Sequence, residues 1–380
     1  MASTYIDIHV LQSVPPSNLN RDDTGTPKTA FYGGVERARV SSQAWKRATR
    51  RHFAEQVEAR QLTADQLAVR TKRAVAQVAE RLVATYGMEK AAASDRAVAA
   101  LKALGFKLES GRAKKDEEGS AEANLTEYLT FFSNSQLDEF ARIAAAAGEG
   151  ASLDKKSLMD AAQAHHGIEV ALFGRMVADD KQLNVDAACQ VAHAISTHQA
   201  TAAQDYYTAV DDKSPADNAG AGMLGTIEYT SATFYRYATV GFAQLTDNLG
   251  SREAALAATK AFIDAFVRSM PTGKQNTFAN RTPVDAVVVQ VRTAPVNLVG
   301  AFEEAVTSDS GYVEKSASAL ADYAHNVADT YADTPLASYV VRVSPKAASL
   351  DRLGVATTLA ELPDAVVAAI PDPAQTGDAS

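Results

Sequence analysis

From Tyr5 to Val10 apolar and polar residues alternate, with Ile6, Ile8 and Val10 on one side and Tyr5, Asp7 and His9 on the other. A period of two predicts a strand over residues 4–11 with one buried face. Residues 12–34 lose that period and collect Pro15, Pro16, Gly25, Pro27, Gly33 and Gly34, the composition of a long loop. Loops of that length carry function or lack fixed structure. Val35 to Ser41 predicts a short second strand, and Ser42 the N-cap of a helix reaching about Ala59.

The character changes over residues 60–180, which are alanine-rich and predict helices at Asp65 to Tyr86, Glu89 to Leu104 and Asn134 to Ala147. A mixed-charge loop, LESGRAKKDEEG, interrupts them. Strand character returns in TIEYTSATFYRYATV, where Ile227, Tyr229, Tyr235 and Tyr237 share a face opposite Phe234. A helix capped by Ser251 follows, with a stripe of Leu256, Ile263, Phe266, Val267 and Met270, and further strands are expected at Val284 to Arg292 and Leu336 to Val343. PDPAQTGDAS reads as a mobile tail. Strand, helix, helical insertion, strand, helix, strands describes an α+β fold interrupted by a helical domain.

With 380 residues the chain is long enough for two or three domains, at about 150 residues each. At 46% hydrophobic and 22% charged residues it is globular rather than disordered. The single cysteine, Cys189, excludes an internal disulfide and a multi-cysteine metal site, and its alanine-rich setting predicts a buried helical thiol. The N-terminus has neither a basic leader nor a long apolar segment, and no run of about 18 apolar residues predicts a membrane span. The expectation is a cytoplasmic protein without membrane contact.

Charge sharpens the picture. The chain carries 37 basic and 46 acidic residues, a net charge of −9. Residues 21–51 oppose this trend: Arg21, Lys28, Arg37, Arg39, Lys46, Arg47, Arg50 and Arg51 face only Asp22, Asp23 and Glu36, a local charge of +5 that leaves −14 elsewhere. On the expected strand Arg37, Arg39 and Ser41 share a face. On the helix Lys46 and Arg50 are four apart, as are Arg47 and Arg51, while Trp45, Thr49 and Phe53 form the buried stripe. Ser41, Ser42 and Gln43 flank a helix N-terminus with free N–H groups, a natural phosphate site. A solvated basic face paired with acids elsewhere is the plainer alternative, but strand, cap and helix converge on phosphate binding.

Other candidates are weaker. PTGKQNTFANRTP holds Lys274 and Arg281 without an acid, but it is not a Walker loop because Arg268 stands at the upstream glycine position. It serves either a phosphate or as an ordered loop. Residues 205–225 begin with Tyr206 and Tyr207 and end with Met223 and Leu224, which suits either wedging between bases or packing against their own domain. His193 and His198 are five apart and do not make a helical metal pair, so no cofactor is expected. Asp22 or Asp23 would have to serve any metal-dependent cleavage of RNA, and Arg21 beside them offers a plain ion pair instead.

The opening IDIHVLQSVPPSNLNRDDTGTPKTAFYGGVERARVSSQAWKRATR resembles the N-terminus of the CasC-type backbone subunit of the type I-E CRISPR surveillance complex, Cascade, within the RAMP superfamily. VALFGRM, YYTAVDD, TFYRYATV and PTGKQNTFANRTP extend the resemblance over most of the chain. The resemblance implies an RRM-like (ferredoxin-like) palm from residues 1–59 and 226–345, helical fingers at 60–181, a connection at 182–195, a protruding thumb at 196–225 and a C-terminal segment at 346–380. It implies a non-catalytic scaffold whose partners are CRISPR RNA, target DNA paired to that guide, further copies of itself and other Cascade subunits. Lys28, Ser41, Gln43, Lys46 and Arg50 would hold guide phosphates, Met176 would insert beside bases, and Leu224 would help flip a nucleotide. Arg21, Arg37, Arg39 and Lys274 complete the expected RNA-binding set. The alternative is an endoribonuclease relative that uses a loop aspartate.

Overall fold

A computed structural model describes residues 3–59, 61–110, 124–147, 151–209 and 223–372. Most of the mixed-charge loop, the centre of the 205–225 segment and all but the first two residues of the expected tail lie outside these. The chain forms two compact units, one from residues 1–52, 191–240 and 259–380, the other from residues 53–190 and 241–258.

The first unit is built on a mixed sheet. Its early elements are strands β1 (Tyr5–Ser17), β2 (Thr29–Tyr32) and β3 (Val35–Val40), followed by helix α1 (Ser42–Glu58). Across the sheet the order is Val355–Ala356, Ala337–Arg342, Ala286–Arg292, β1, Met223–Gly241, Ala194–Ser196, β3, β2. Strand β1 runs antiparallel to Ala286–Arg292, with Tyr5 opposite Arg292 and Leu11 opposite Ala286. The result is a mixed α+β architecture.

Strand β1 departs from the expectation of one buried face. Every residue from Ile6 to Gln12 is buried, the polar ones included. Alternation here separates apolar packing from hydrogen bonding, not inside from outside. Asp7 accepts the Tyr237 hydroxyl at 3.0 Å and the Val296 N–H at 2.8 Å, and burial pushes its carboxyl up. His9 Nδ1 lies 2.9 Å from the Tyr235 hydroxyl, and burial lowers the ring to about 3. The Gln12 amide donates to Thr282 O at 2.8 Å. Asp7 and Gln12 thus gain partners, which is what makes their burial tolerable, whereas His9 is satisfied at Nδ1 only, its Nε2 having no partner among the described residues.

The strand also outruns its expected end by six residues, passing through Pro15 and Pro16 to Ser17. Both prolines are exposed, where a missing N–H loses little. The expected loop over residues 12–34 therefore holds the end of β1 and all of β2. Tyr32 pairs with Val35 across Gly33 and Gly34, both at positive φ, the conformation that a two-residue hairpin turn requires.

The second unit packs Ala74–Tyr86, Lys90–Ala103, Asn134–Ala146 and Lys155–Gln163 around Val78, Leu82, Leu101, Phe132, Phe140 and Leu158. Ser133 and Gln136 form a reciprocal cap at the third of these helices. The helix expected from Asp65 begins only at Ala74. Before it, Ala64–Gln66 is a single tight turn and Ala68–Thr71 a strand paired antiparallel with Thr130–Ser133. Cys189 is buried as expected but opens the strand Cys189–Val191 rather than sitting in a helix. Among the described residues no helix is long and apolar enough to cross a membrane.

Candidate nucleic-acid interface

Helix α1 carries the centre of the cationic segment. Trp45, Thr49 and Phe53 are buried, as their spacing predicts. The Arg236 guanidinium lies 3.7 Å from the Trp45 ring centroid and 4.6 Å from that of Phe266, and donates to Gln12 Oε1 at 2.7 Å. Burial lowers Arg236 to about 9, still above neutral pH. Its charge is thus held under α1 by aromatic faces and a carboxamide, and it fixes the rotation of the helix about its axis. With Trp45 inward, Lys46 and Arg50 lie half-buried along one row, and Arg47 and Arg51 are exposed along the next.

The helix starts one residue earlier than its sequence suggests. Ser41, not Ser42, is the cap: its Oγ accepts the Ala44 N–H at 3.3 Å. The Ser41 N–H is bound to Asn20 Oδ1 at 2.9 Å. The buried Ser41 hydroxyl therefore shapes the helix end, while the N–H groups of Ser42 and Gln43 have no acceptor among the described residues. Gln43 is exposed beside them. Two open donors at the positive end of a helix, followed by Lys46 and Arg50, form an anion-binding arrangement.

A second cationic group sits on the β2–β3 hairpin. Lys28 and Arg39 line a cleft of about 330 Å³ together with Asp22, Thr29, Glu36 and Thr201. Arg39 Nε donates to Thr29 O at 2.9 Å, and its Nη1 lies 3.1 Å from His193 Nδ1. Burial, with the charges of Arg39 and Lys28, lowers the His193 pKa and favours its neutral ring. Asp22 Oδ1 accepts from the Thr24 hydroxyl at 2.7 Å and from the Thr24 and Thr26 N–H groups at 3.0 Å each, which holds the carboxyl below its ordinary range. That carboxylate organises its own loop. Arg21 and Asp23 are exposed on the same loop.

Arg37 does not join the set. It is fully buried, and its guanidinium donates to Ser196 O and Phe302 O at 2.9 Å each and to Tyr32 O and Glu303 O at 3.2 Å each. Four carbonyls occupy four of its five N–H donors and its side chain is buried, so it pins the hairpin instead of meeting a ligand. The strand period aligns Arg37 with Arg39 but cannot reveal that residues 302–303 cover the first of them.

Lys274 is half-buried at positive φ, ahead of the short helix Gln275–Phe278. Gly273 before it lies so close to Asn18 and Leu19 that a Cβ would stand 2.3 Å from Leu19 O. The loop is therefore held against the end of β1, and this backbone approach gives its glycine a role unrelated to nucleotide cradling.

The segment that contains Leu224 is an antiparallel hairpin, Ala203–Ala209 against the start of Met223–Gly241, with Tyr206 opposite Thr226 and Thr208 opposite Leu224. Tyr206 and Leu224 are diagonal neighbours on one face and are 64% and 58% exposed. On the other face the Tyr207 ring covers Gly225, where a Cβ would meet it at 2.4 Å.

Met176 belongs to the second unit. Gly174 ends the helix Ile168–Phe173, and Arg175 turns inward to donate to Leu183 O at 2.7 Å and Ala162 O at 2.9 Å. The next side chain, Met176, is 85% exposed. Read as a helix-end methionine it belongs to a core; anchored by its buried neighbour it projects. Sequence reasoning missed His193 and Glu36 as neighbours of Arg39, since only the folded sheet brings His193 there.

The CT1975-like protein family model matches residues 6–366. No curated protein matches the chain. Among solved structures, a chain of a "CRISPR RNA-guided surveillance complex, pre-nicking" is 35% identical, with a TM-score of 0.82 over 96% of this chain and 99% of that one. A chain of a second CRISPR RNA-guided surveillance complex is 32% identical, with a TM-score of 0.72 over the same shares. A family match across nearly the whole sequence, joined to structural likeness over the same span, places this chain in the CT1975-like family of Cas proteins.

Proposed function

We propose that this chain is the guide-gripping backbone subunit of a CRISPR RNA-guided surveillance complex, of the CasC type in type I-E systems. The observation that carries the reading is the row Lys46–Arg50 beside two open N–H donors at the start of α1. The likeness to chains of two such complexes supports it. Each phosphate of a passing RNA strand meets cations and backbone donors there, and none of these reads a base. Bases left outward pair with target DNA, so sequence reading belongs to the guide.

In this reading the sheet-bearing unit is an RRM-like palm, residues 60–181 are fingers, and the hairpin within 196–225 is a thumb. Tyr206 and Leu224, exposed on one hairpin face, and Met176 suit apolar contact with unstacked bases. Several copies follow one guide in the cytoplasm, together with other subunits and without a cofactor. An acidic remainder discourages unspecific capture of nucleic acid. The subunit is a scaffold rather than a nuclease, and the engagement of Asp22 with its own loop supports this.

Co-expression with a CRISPR array and partner proteins is expected to yield a large particle holding RNA of uniform length. Lys46→Ala with Arg50→Ala should weaken all RNA sequences alike and reduce the salt slope by about 0.7 per lost phosphate contact. Unchanged affinity and slope would sink the proposal. Magnesium-dependent cleavage of paired RNA, lost in Asp22→Ala or Asp23→Ala, would instead establish the nuclease reading.

A further inference from the structure

The cleft on the β2–β3 hairpin holds charges of both signs that do not neutralise one another. Lys28, Arg39 and Glu36 all line it, yet neither Lys28 nor Glu36 forms an ion pair with any described residue. Asp22, the other acid, has spent its Oδ1 on its own loop. Arg39 has committed Nε to Thr29 and Nη1 toward His193, which leaves part of its guanidinium facing the cleft. A cleft meant only to attract phosphate would gain nothing from an unpaired carboxylate, because Glu36 repels the same anion.

The combination fits a ligand that brings an anion and a hydrogen-bond donor a few ångströms apart. A ribonucleotide is such a ligand. Its phosphate suits Lys28 and Arg39. Base-edge donors vary from one nucleotide to the next, whereas the ribose 2′-hydroxyl is present on every one and absent from DNA. At about 330 Å³ the cleft is at the small end of ligand pockets, a size for one sugar-phosphate rather than an extended strand.

We propose that this cleft receives one ribonucleotide of the bound strand, with its 2′-hydroxyl donating to the Glu36 carboxylate, and that Glu36 thereby sets a preference for RNA over DNA. The inference rests on the RNA-gripping function proposed above. For DNA, Glu36 offers only repulsion. For RNA the same charge is offset by a hydrogen bond to an ionised acceptor, which carries roughly a tenfold difference in affinity or more.

The test compares binding of the full-length chain to single-stranded oligouridine, to its 2′-deoxy counterpart and to its 2′-fluoro counterpart, which keeps the RNA-like sugar but cannot donate. The wild-type chain should prefer RNA over both by about tenfold. Glu36→Ala should collapse that ratio toward one while DNA binding tightens, and retained DNA binding also shows that the variant is folded. Wild-type binding of 2′-fluoro strands as tightly as RNA overturns the proposal without any substitution. So does an equal gain in RNA and DNA affinity in Glu36→Ala, which would make Glu36 a repulsive charge and nothing more. Failure of the wild-type chain to bind any of the three strands would overturn the RNA-gripping function itself.

Discussion

Gly33 and Gly34 form the same tight turn, but the structure assigns them very different tolerance. Both have positive φ, +60° and +78°, so alanine at either costs about 1–2 kcal/mol of backbone strain. At Gly34 a Cβ would meet nothing within 4 Å. At Gly33 it would lie 1.6 Å from the Glu303 carbonyl oxygen, where real contacts stay beyond 3.0 Å. The Cβ is fixed rigidly to the hairpin and the oxygen is backbone, so neither can swing aside and the hairpin must move by more than an ångström. That shift pulls the Arg37 guanidinium away from Phe302 O and Glu303 O, now 2.9 and 3.2 Å distant. A hydrogen bond to a charged group contributes about 1.5–3 kcal/mol, so with the strain the loss of even one of the two makes Gly33→Ala cost about 2.5–5 kcal/mol. Amide hydrogen exchange across residues 29–40 measures this directly. Gly34→Ala should lower protection about tenfold, and Gly33→Ala by roughly a hundredfold or more. The second variant should also lose RNA affinity, because Lys28 and Arg39 ride on the displaced hairpin. Equal protection in the two variants would refute the steric argument.

Other consequences are as direct. His9 is held neutral by burial at about 3, while an unfolded chain protonates it below the ordinary 6.5. The unfolded state then binds the extra proton, so stability is lost as pH falls from 6.5 toward 3, by up to about 1.4 kcal/mol per pH unit. Urea midpoints at neutral and mildly acidic pH should show that slope flattened in His9→Gln; an unaltered slope would assign the acid sensitivity elsewhere. Trp45→Ala removes the buried ring beneath α1 and should cost about 3–5 kcal/mol in urea unfolding, with Trp45→Phe recovering part of it. An exposed Met176 makes the opposite case: Met176→Ala should leave stability within about 0.5 kcal/mol while changing the fluorescence of a base analogue placed in the bound guide. A large loss of stability there would mean that the side chain is packed.

What the sequence disclosed follows from what is local. Period two located β1, and the four-residue spacing of Lys46 and Arg50 fixed their common row on α1, because neighbouring residues set both patterns. The far end of β1 escaped notice because Pro15 and Pro16 signal a break, and only their exposed position in the sheet makes them acceptable. The strand Ala68–Thr71 was hidden inside an alanine-rich run, since its pairing with Thr130–Ser133 comes from some sixty residues away. Arg37 and Arg39 look equivalent along a strand, yet one is roofed by residues 302–303 and the other opens into a cleft. The Glu36 carboxylate beside them carried no motif at all; its significance arises from a cavity that only the folded sheet creates.

The strand Met223–Gly241 is 19 residues long, roughly 60 Å at about 3.3 Å per residue. Its first part is one arm of the exposed hairpin, and the same unbroken backbone continues inward between β1 and Ala194–Ser196. Pulling on that arm loads the inner hydrogen bonds in shear, all at once, rather than peeling them one by one. A projection grafted on by a flexible joint would yield to a tug at its tip. This one transmits the force straight into the centre of the sheet, and it gives way only when the sheet does.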